Sequence, residues 1–226
     1  MANFRAHLTA ASLVSGTLAT ASIYADLATV NQAMLLWFIG TIGGLCPDLD
    51  SKNSISQRVG FLLFCGICGW IMGTILPGRM PLPLALASII ATLCLLFYFI
   101  LPKLCAIMNH RGNCHSLLTA VVISLALTNI NAYLLGSSSA DAFLVGLAFF
   151  CGFLSHLLLD EWCSIDFQER RLKKSFGTAI KLFSLRTPAS SLTLIILCAS
   201  QIWILPPHDV LRTVLTQVTM TLITLG

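Results

Sequence analysis

Charged residues are spaced so widely along this chain that they leave eight long uncharged stretches, at residues 8–25, 27–47, 59–78, 80–102, 112–140, 142–159, 187–207 and 213–226. Most of them approach or exceed the roughly 20 helical residues that a bilayer core requires. Runs such as Leu82 to Leu101 lack the period-2 alternation of a membrane strand, which excludes a barrel. The pattern therefore predicts an all-α fold, a polytopic transmembrane helical bundle. Pro47, the Pro77-Gly78-Arg79-Met80-Pro81 segment, Pro102, Gly136-Ser137-Ser138-Ser139 and Pro206-Pro207 supply the stops and turns between spans. Eight crossings fit these breaks, and six or seven fit if the polar first stretch or the short last one stays out of the bilayer. Residues 1–186 read as one membrane domain and 187–226 as an appended hydrophobic hairpin.

Composition makes lipid the required solvent. Of the 226 residues, 57% are hydrophobic and 10% are charged, whereas a soluble chain carries about 25% charge. Mean hydropathy is +0.88. The net charge of +4 is too small and too scattered for a nucleic-acid groove, so no nucleic-acid partner is expected. Nine cysteines, most of them inside apolar runs, read as small buried hydrophobes rather than a disulfide framework. The Thr-, Ser- and Ala-rich start, interrupted by His7, is a poor signal peptide, and Met1 is read as the mature start.

The few basic residues also set an orientation. With all eight stretches crossing, Arg5, Lys52, Arg58, Lys103, Arg111, Arg170, Arg171, Lys173, Lys174, Lys181 and Arg186 share one side, and Arg79 and Arg212 the other. The positive-inside rule makes the rich side cytoplasmic, with both termini there. Residues 160–186 hold ten of the 22 charged residues, interleaved with Phe167, Leu172, Phe176, Ile180, Leu182 and Phe183. They read as a basic amphipathic segment lying on an anionic leaflet.

Seven polar residues stand at the ends of apolar stretches, all on the predicted cytoplasmic side: His7, Asp48, Asp50, His110, His115, His156 and Asp160. Ionisable groups at membrane depth are expensive unless paired or functional. His156 and Asp160, four apart on a helix, share one face. Alone, such a pair also serves as a structural hydrogen bond. Asp48 and Asp50 follow Pro47 closely enough to repel, a cost that a cation relieves, although a solvated capping loop is the simpler reading of that segment alone. Gly112 lets His110 and His115 turn toward one another, with Asn113 or Ser116 as cap of the next span. Arg111 suits a phosphate or carboxylate, or an inner-leaflet anchor. Four His and three Asp together form a candidate site for one or two divalent metal ions, zinc first, manganese or iron next. His208, on the opposite side, reads as a turn residue.

This set of residues resembles the YdjM-like membrane-bound metal-dependent hydrolases of bacterial inner membranes. The likeness runs through His7, Pro47-Asp48-Leu49-Asp50, His110-Arg111-Gly112, His115-Ser116 and Ser155-His156-Leu157-Leu158-Leu159-Asp160, and on to Lys173-Lys174-Ser175-Phe176-Gly177-Thr178-Ala179-Ile180-Lys181. That family usually carries Thr immediately before the second histidine, where this chain has Cys114, which leaves the ligand count open. Through its grouping with helical zinc-dependent phospholipases C and nucleases, the resemblance implies phosphoester hydrolysis with the same seven residues as ligands. The expected reaction uses metal-activated water, with Asp48 or Asp50 taking the proton. Arg111 and Lys52 would hold an anionic headgroup or other small or lipid-linked anionic substrate while its acyl chains stay in the bilayer. An ion or metal transporter, with breaks at Gly43-Gly44 or in the Gly-rich 66–73 segment, is one rival reading. A non-catalytic membrane scaffold is the other.

Overall fold

The structure is a computed structural model that describes residues 3–50, 55–100, 103, 115–166, 171–172, 181–182, 188–206 and 216. Among the described residues the architecture is all-α, with seven helices: α1 (Phe4–Tyr24), α2 (Val30–Leu45), α3 (Ile55–Ile75), α4 (Leu82–Leu95), α5 (Leu117–Asn129), α6 (Ser139–Trp162) and α7 (Pro188–Trp203). Four segments are long and apolar enough to cross a membrane: Val30–Asp48, Leu82–Ile100, Leu117–Leu134 and Ser139–Trp162. They fall on the expected stretches 27–47, 80–102, 112–140 and 142–159. α1, α3 and α7 fall on three more, and the eighth, apart from residue 216, lies outside the described residues.

Local chemistry sets the helix ends. Asn3 caps α1 by accepting from the Ala6 N–H at 2.9 Å. Thr29 and Gln32 form a reciprocal capping box at α2. Ser116, one of the two expected caps, accepts from the Thr119 N–H at the start of α5. α4 and α5 each end in a π turn, Leu96–Ile100 and Ile130–Leu134. Gly136, at φ 66°, then supplies the left-handed residue that ends the second of these segments.

The chain divides into two compact units, one of residues 1–47 with 112–226 and one of 48–111. The smaller unit is a helical hairpin. α3 and α4 pack with Phe61 edge-on to Phe97 at 6.0 Å, and Gly69 faces Leu93. Leu82, Leu84, Leu86, Ile90 and Leu95 on α4 are exposed, as lipid-facing residues should be.

In the larger unit, α1, α2 and α6 cross at close range. α1 buries a stripe of His7, Ala11, Ser15, Ala19 and Ser22, spaced nearly every fourth residue. α2 meets it with Gly40 and Gly44 and turns Gly43 toward α6, all three buried. A Cβ on Gly44 would strike Ala11, one on Gly43 the Phe149 carbonyl, and one on Gly152 of α6 the Gly40 carbonyl. This is the small-residue packing by which helices associate in lipid, where apolar surface alone gives no preference for one helix over another. Ala120 of α5 packs with Phe149, Phe153 and Leu157 of α6 in a second core cluster. α7 lies along α5, where the Asn129 side-chain amide donates to the Gln201 carbonyl at 3.1 Å and to its side-chain oxygen.

The two ends of this unit differ in chemistry. At one end Gln32 donates to Asp141 at 2.9 Å, and exposed Tyr24, Tyr133 and Trp203 terminate α1, the π turn after α5 and α7. Trp162, also exposed, closes α6 at the other end. Aromatic residues at both ends of apolar helices match the belts found at membrane interfaces.

The charged segment expected on the leaflet surface is partly described. α6 continues to Trp162, so Asp160 and Glu161 are helical. Ile165–Asp166 and Arg171–Leu172 then pair as a two-residue antiparallel ladder. Further on, the Lys181 and Leu182 carbonyls accept from the Leu117 and Leu118 N–H groups at 2.9 and 3.1 Å. A strap of chain thereby satisfies two of the donors that a helix start leaves open.

Candidate metal centre

The small-residue crossing brings one end of α1 against the last turns of α2 and α6, and the buried polar groups meet there. His7, His156 and Asp160 are 1%, 0% and 7% exposed. The His156 Nδ1 lies 2.7 Å from the Gly44 carbonyl oxygen. That oxygen can only accept, so Nδ1 carries the proton and donates it, which leaves the Nε2 lone pair available as a ligand. Nε2 stands 3.9 Å from Asp160 Oδ2, and His7 Nε2 stands 3.4 Å from Asp160 Oδ1. The His7 and His156 rings stack at 3.7 Å and 14°.

These separations suit a shared cation. Two ligand atoms each about 2.1 Å from one tetrahedral zinc stand about 3.4 Å apart. One ligand atom from each of His7, His156 and Asp160 lies within 4.8 Å of the other two. The bond from His156 to a backbone carbonyl is the outer-shell contact that orients a ligating imidazole. His7 Nδ1 is buried and makes no hydrogen bond among the described residues, an expensive arrangement for a polar atom away from water. His115 is buried as well, with its ring 5.6 Å from that of His156 and edge-on to it. One residue beyond it, the 181–182 strap meets the start of α5.

The other expected site residues divide in two groups. Asp48 and Asp50 lie in the 3-10 turn Cys46–Asp50 that follows α2 directly, after the fully buried Pro47, and Asp48 is half-buried. His110, Arg111, Lys52 and Cys114 lie outside the described residues. Gly43 and Gly44, read from sequence as a break in a transport path, belong to an unbroken α-helix, as do Gly66 to Gly73 in α3. The role of Gly44 is close approach, and its carbonyl holds the central imidazole. Sequence reasoning missed this contribution. The signal was the recurrence of small residues at Ala11, Ser15 and Ala19 and at Gly40 and Gly44, each four apart.

A bundle of apolar helices, sealed by small residues and carrying a buried His/Asp cluster at one end, is a helical membrane protein with a candidate cation site. The chain belongs to the YdjM inner membrane protein family, whose model matches residues 1–172. That range includes all seven His and Asp candidates and ends before α7. No curated protein and no solved structure matches the chain.

Proposed function

We propose that this protein is an integral inner-membrane, metal-dependent hydrolase that cleaves a phosphoester of a membrane lipid or a similar anionic substrate. The observation that carries the reading is the buried convergence of His7, His156 and Asp160. Three protein ligands of mixed nitrogen and oxygen type leave a position open, as in catalytic rather than structural zinc sites. His115, buried edge-on to His156, and His110 complete the proposal as further ligands or holders of a second ion. A divalent ion held there, zinc first and manganese or iron next, would supply Lewis acidity toward a phosphoryl oxygen and lower the pKa of water into the neutral range.

The chain's own groups do the rest. Gly44 fixes the His156 tautomer and ring plane. Asp160 faces the Nε2 edges of both stacked imidazoles and compensates positive charge in a site almost without solvent. Asp48 comes four residues after Gly44 in the turn that follows α2, a covalent proximity that favours it, or Asp50, as proton acceptor. Arg111 and Lys52 complete the proposal as headgroup ligands.

The test is turnover by purified protein of a panel of phospholipids and polyprenyl phosphates. Activity is expected to vanish with chelator and return with zinc or manganese. Asp160→Asn should reduce it by at least about 100-fold, the upper range for disturbance of even the outer shell of a metal site. Retention of full activity in chelator would refute the mechanism.

The proposed arrangement has the metal centre and both termini at the cytoplasmic face, in a bundle of six to eight spans. Cys163 and Ser138 flank α6 at opposite ends, about 36 Å apart over its 24 residues. In intact cells an impermeant maleimide should label a Ser138→Cys variant, and should reach Cys163 only after the inner membrane is opened. The opposite pattern reverses the orientation.

A further inference from the structure

A cavity of about 230 Å³ lies between α5 and α6, walled by Val121, Leu125, Phe143, Leu147 and Phe150. Its floor is Ser124, Thr128 and Gly146. The two hydroxyls are spent on their own helix, Ser124 donating to the Ala120 carbonyl at 2.7 Å and Thr128 to the Ser124 carbonyl at 3.0 Å. No donor is left in the floor for a polar ligand, and the remaining lining is aliphatic and aromatic, so the surface presented is chiefly hydrocarbon. Gly146 brings the helices together there, since a Cβ on it would strike the Thr128 hydroxyl. Leu147 on the wall is 43% exposed, so the groove opens outward. Both helices belong to candidate membrane spans, which places the opening in the acyl region.

The groove shares α6 with the candidate centre, and its α5 wall begins one turn and more beyond buried His115. Six residues separate Val121 from His115 on the α5 side and Phe150 from His156 on α6. On α6 that interval is about 9 Å of helical rise, so the groove begins that far along the helix from His156, while on the other side His115 directly precedes the extended Ser116 cap of α5. It then runs from Val121 to Thr128, about another 10 Å along α5. A molecule that fills it while engaging the centre is polar at one end and hydrocarbon beginning within about 9 Å of that end.

We infer that the α5–α6 groove binds an acyl chain of a bilayer glycerophospholipid whose phosphoester headgroup lies at the His7–His156–Asp160 centre. The headgroup half of this inference rests on the proposed phosphoesterase reading, and the chain half rests on the groove alone. A seated chain gives the centre a lipid substrate held in register, which a soluble phosphoester would lack.

The test uses the full chain in nanodiscs of phosphatidylethanolamine and phosphatidylglycerol, doped with phosphatidylethanolamine carrying a mid-chain diazirine. After exchange into detergent and photolysis, adducts are mapped by mass spectrometry. Adducts on Phe143, Leu147 and Phe150 should exceed those on exposed Leu192 and Ile196 of α7 by roughly 10-fold, and Leu147→Trp should abolish that excess, as withdrawal of about two methylenes from burial would. The same adducts should form in His156→Asn while its turnover is lost; native protein that labels the groove but turns over no phospholipid sinks the headgroup reading and spares the groove. Equal labelling of the groove and of α7 overturns the groove. Displacement of the probe by a polyprenyl phosphate but not by unlabelled phosphatidylethanolamine overturns the acyl assignment.

Discussion

His156→Asn is expected to leave the protein folded and strip it of metal, whereas His156→Ala loses both. The imidazole of His156 is fully buried, donates from Nδ1 to Gly44, and stacks on His7. Alanine removes all three contacts and leaves a cavity, at a cost of roughly 2–5 kcal/mol by analogy with other large-to-alanine core changes. It also deprives a carbonyl in the last turn of α2 of its imidazole donor, in a medium that offers no water in exchange. Asparagine puts an amide N–H where Nδ1 stood, so the bond to Gly44 survives, but nothing reaches the position of Nε2. Elemental analysis of protein purified at neutral pH without chelator should find about one or more transition-metal ions per native chain, the occupancy a built catalytic site carries, and close to none in either variant. Native protein without metal, or an asparagine variant with the native content, would overturn the centre.

The second large effect comes from a single methyl group. Gly152→Ala would place its Cβ against the Gly40 carbonyl, 2.7 Å from the carbonyl carbon and closer still to its oxygen. Both atoms are backbone, so no side chain can rotate away and α2 and α6 must separate. Overpacking of this kind costs about 1–3 kcal/mol and occasionally more; against rigid backbone the upper end is expected, and the apparent Tm should fall by about 6–12 °C for a chain of this size. The same displacement pulls Gly44 away from His156, so metal content should fall although no ligand has been touched. Gly73→Ala in α3 is the control. Nothing lies within 4 Å of its Cβ position, and replacing a mid-helix glycine by alanine should be neutral or stabilising by about 0.5–1 kcal/mol. Equal effects of the two substitutions would show that the crossing is not what holds the helices together.

Much of this fold was legible in the sequence because the cost of placing a charge in hydrocarbon is paid residue by residue. Spacing of Asp, Glu, Lys and Arg located Val30–Asp48, Leu82–Ile100, Leu117–Leu134 and Ser139–Trp162 to within a few residues. Ser116 was readable as a cap because its hydroxyl acts on a donor three residues away. Other features lay beyond reach for a reason of the same kind. The strap at Lys181 and Leu182 joins a distant segment to the start of α5 through backbone atoms, which carry no residue-specific mark. The ladder at Ile165–Asp166 and Arg171–Leu172 lies in a run that reads as amphipathic by composition, yet its first strand begins only after α6 has carried Asp160 into the core.

The candidate site divides along the same line. That His156 and Asp160 share a face follows from helix geometry, and the expectation that seven His and Asp residues gather at one side came from counting spans. The sequence by itself determined that this chain lives in a membrane, where its apolar stretches lie, and which polar residues are too costly there to be incidental. Only the tertiary structure decided that His7 stacks on His156, that Asp160 faces the Nε2 atoms of both, and that the imidazole is held by a carbonyl 112 residues away. Hydropathy is a property of single residues transferred to lipid, whereas convergence depends on which small residue of one helix admits the backbone of another. Gly40, Gly43, Gly44 and Gly152 set that approach, and a glycine carries no side chain by which the sequence could announce its partner.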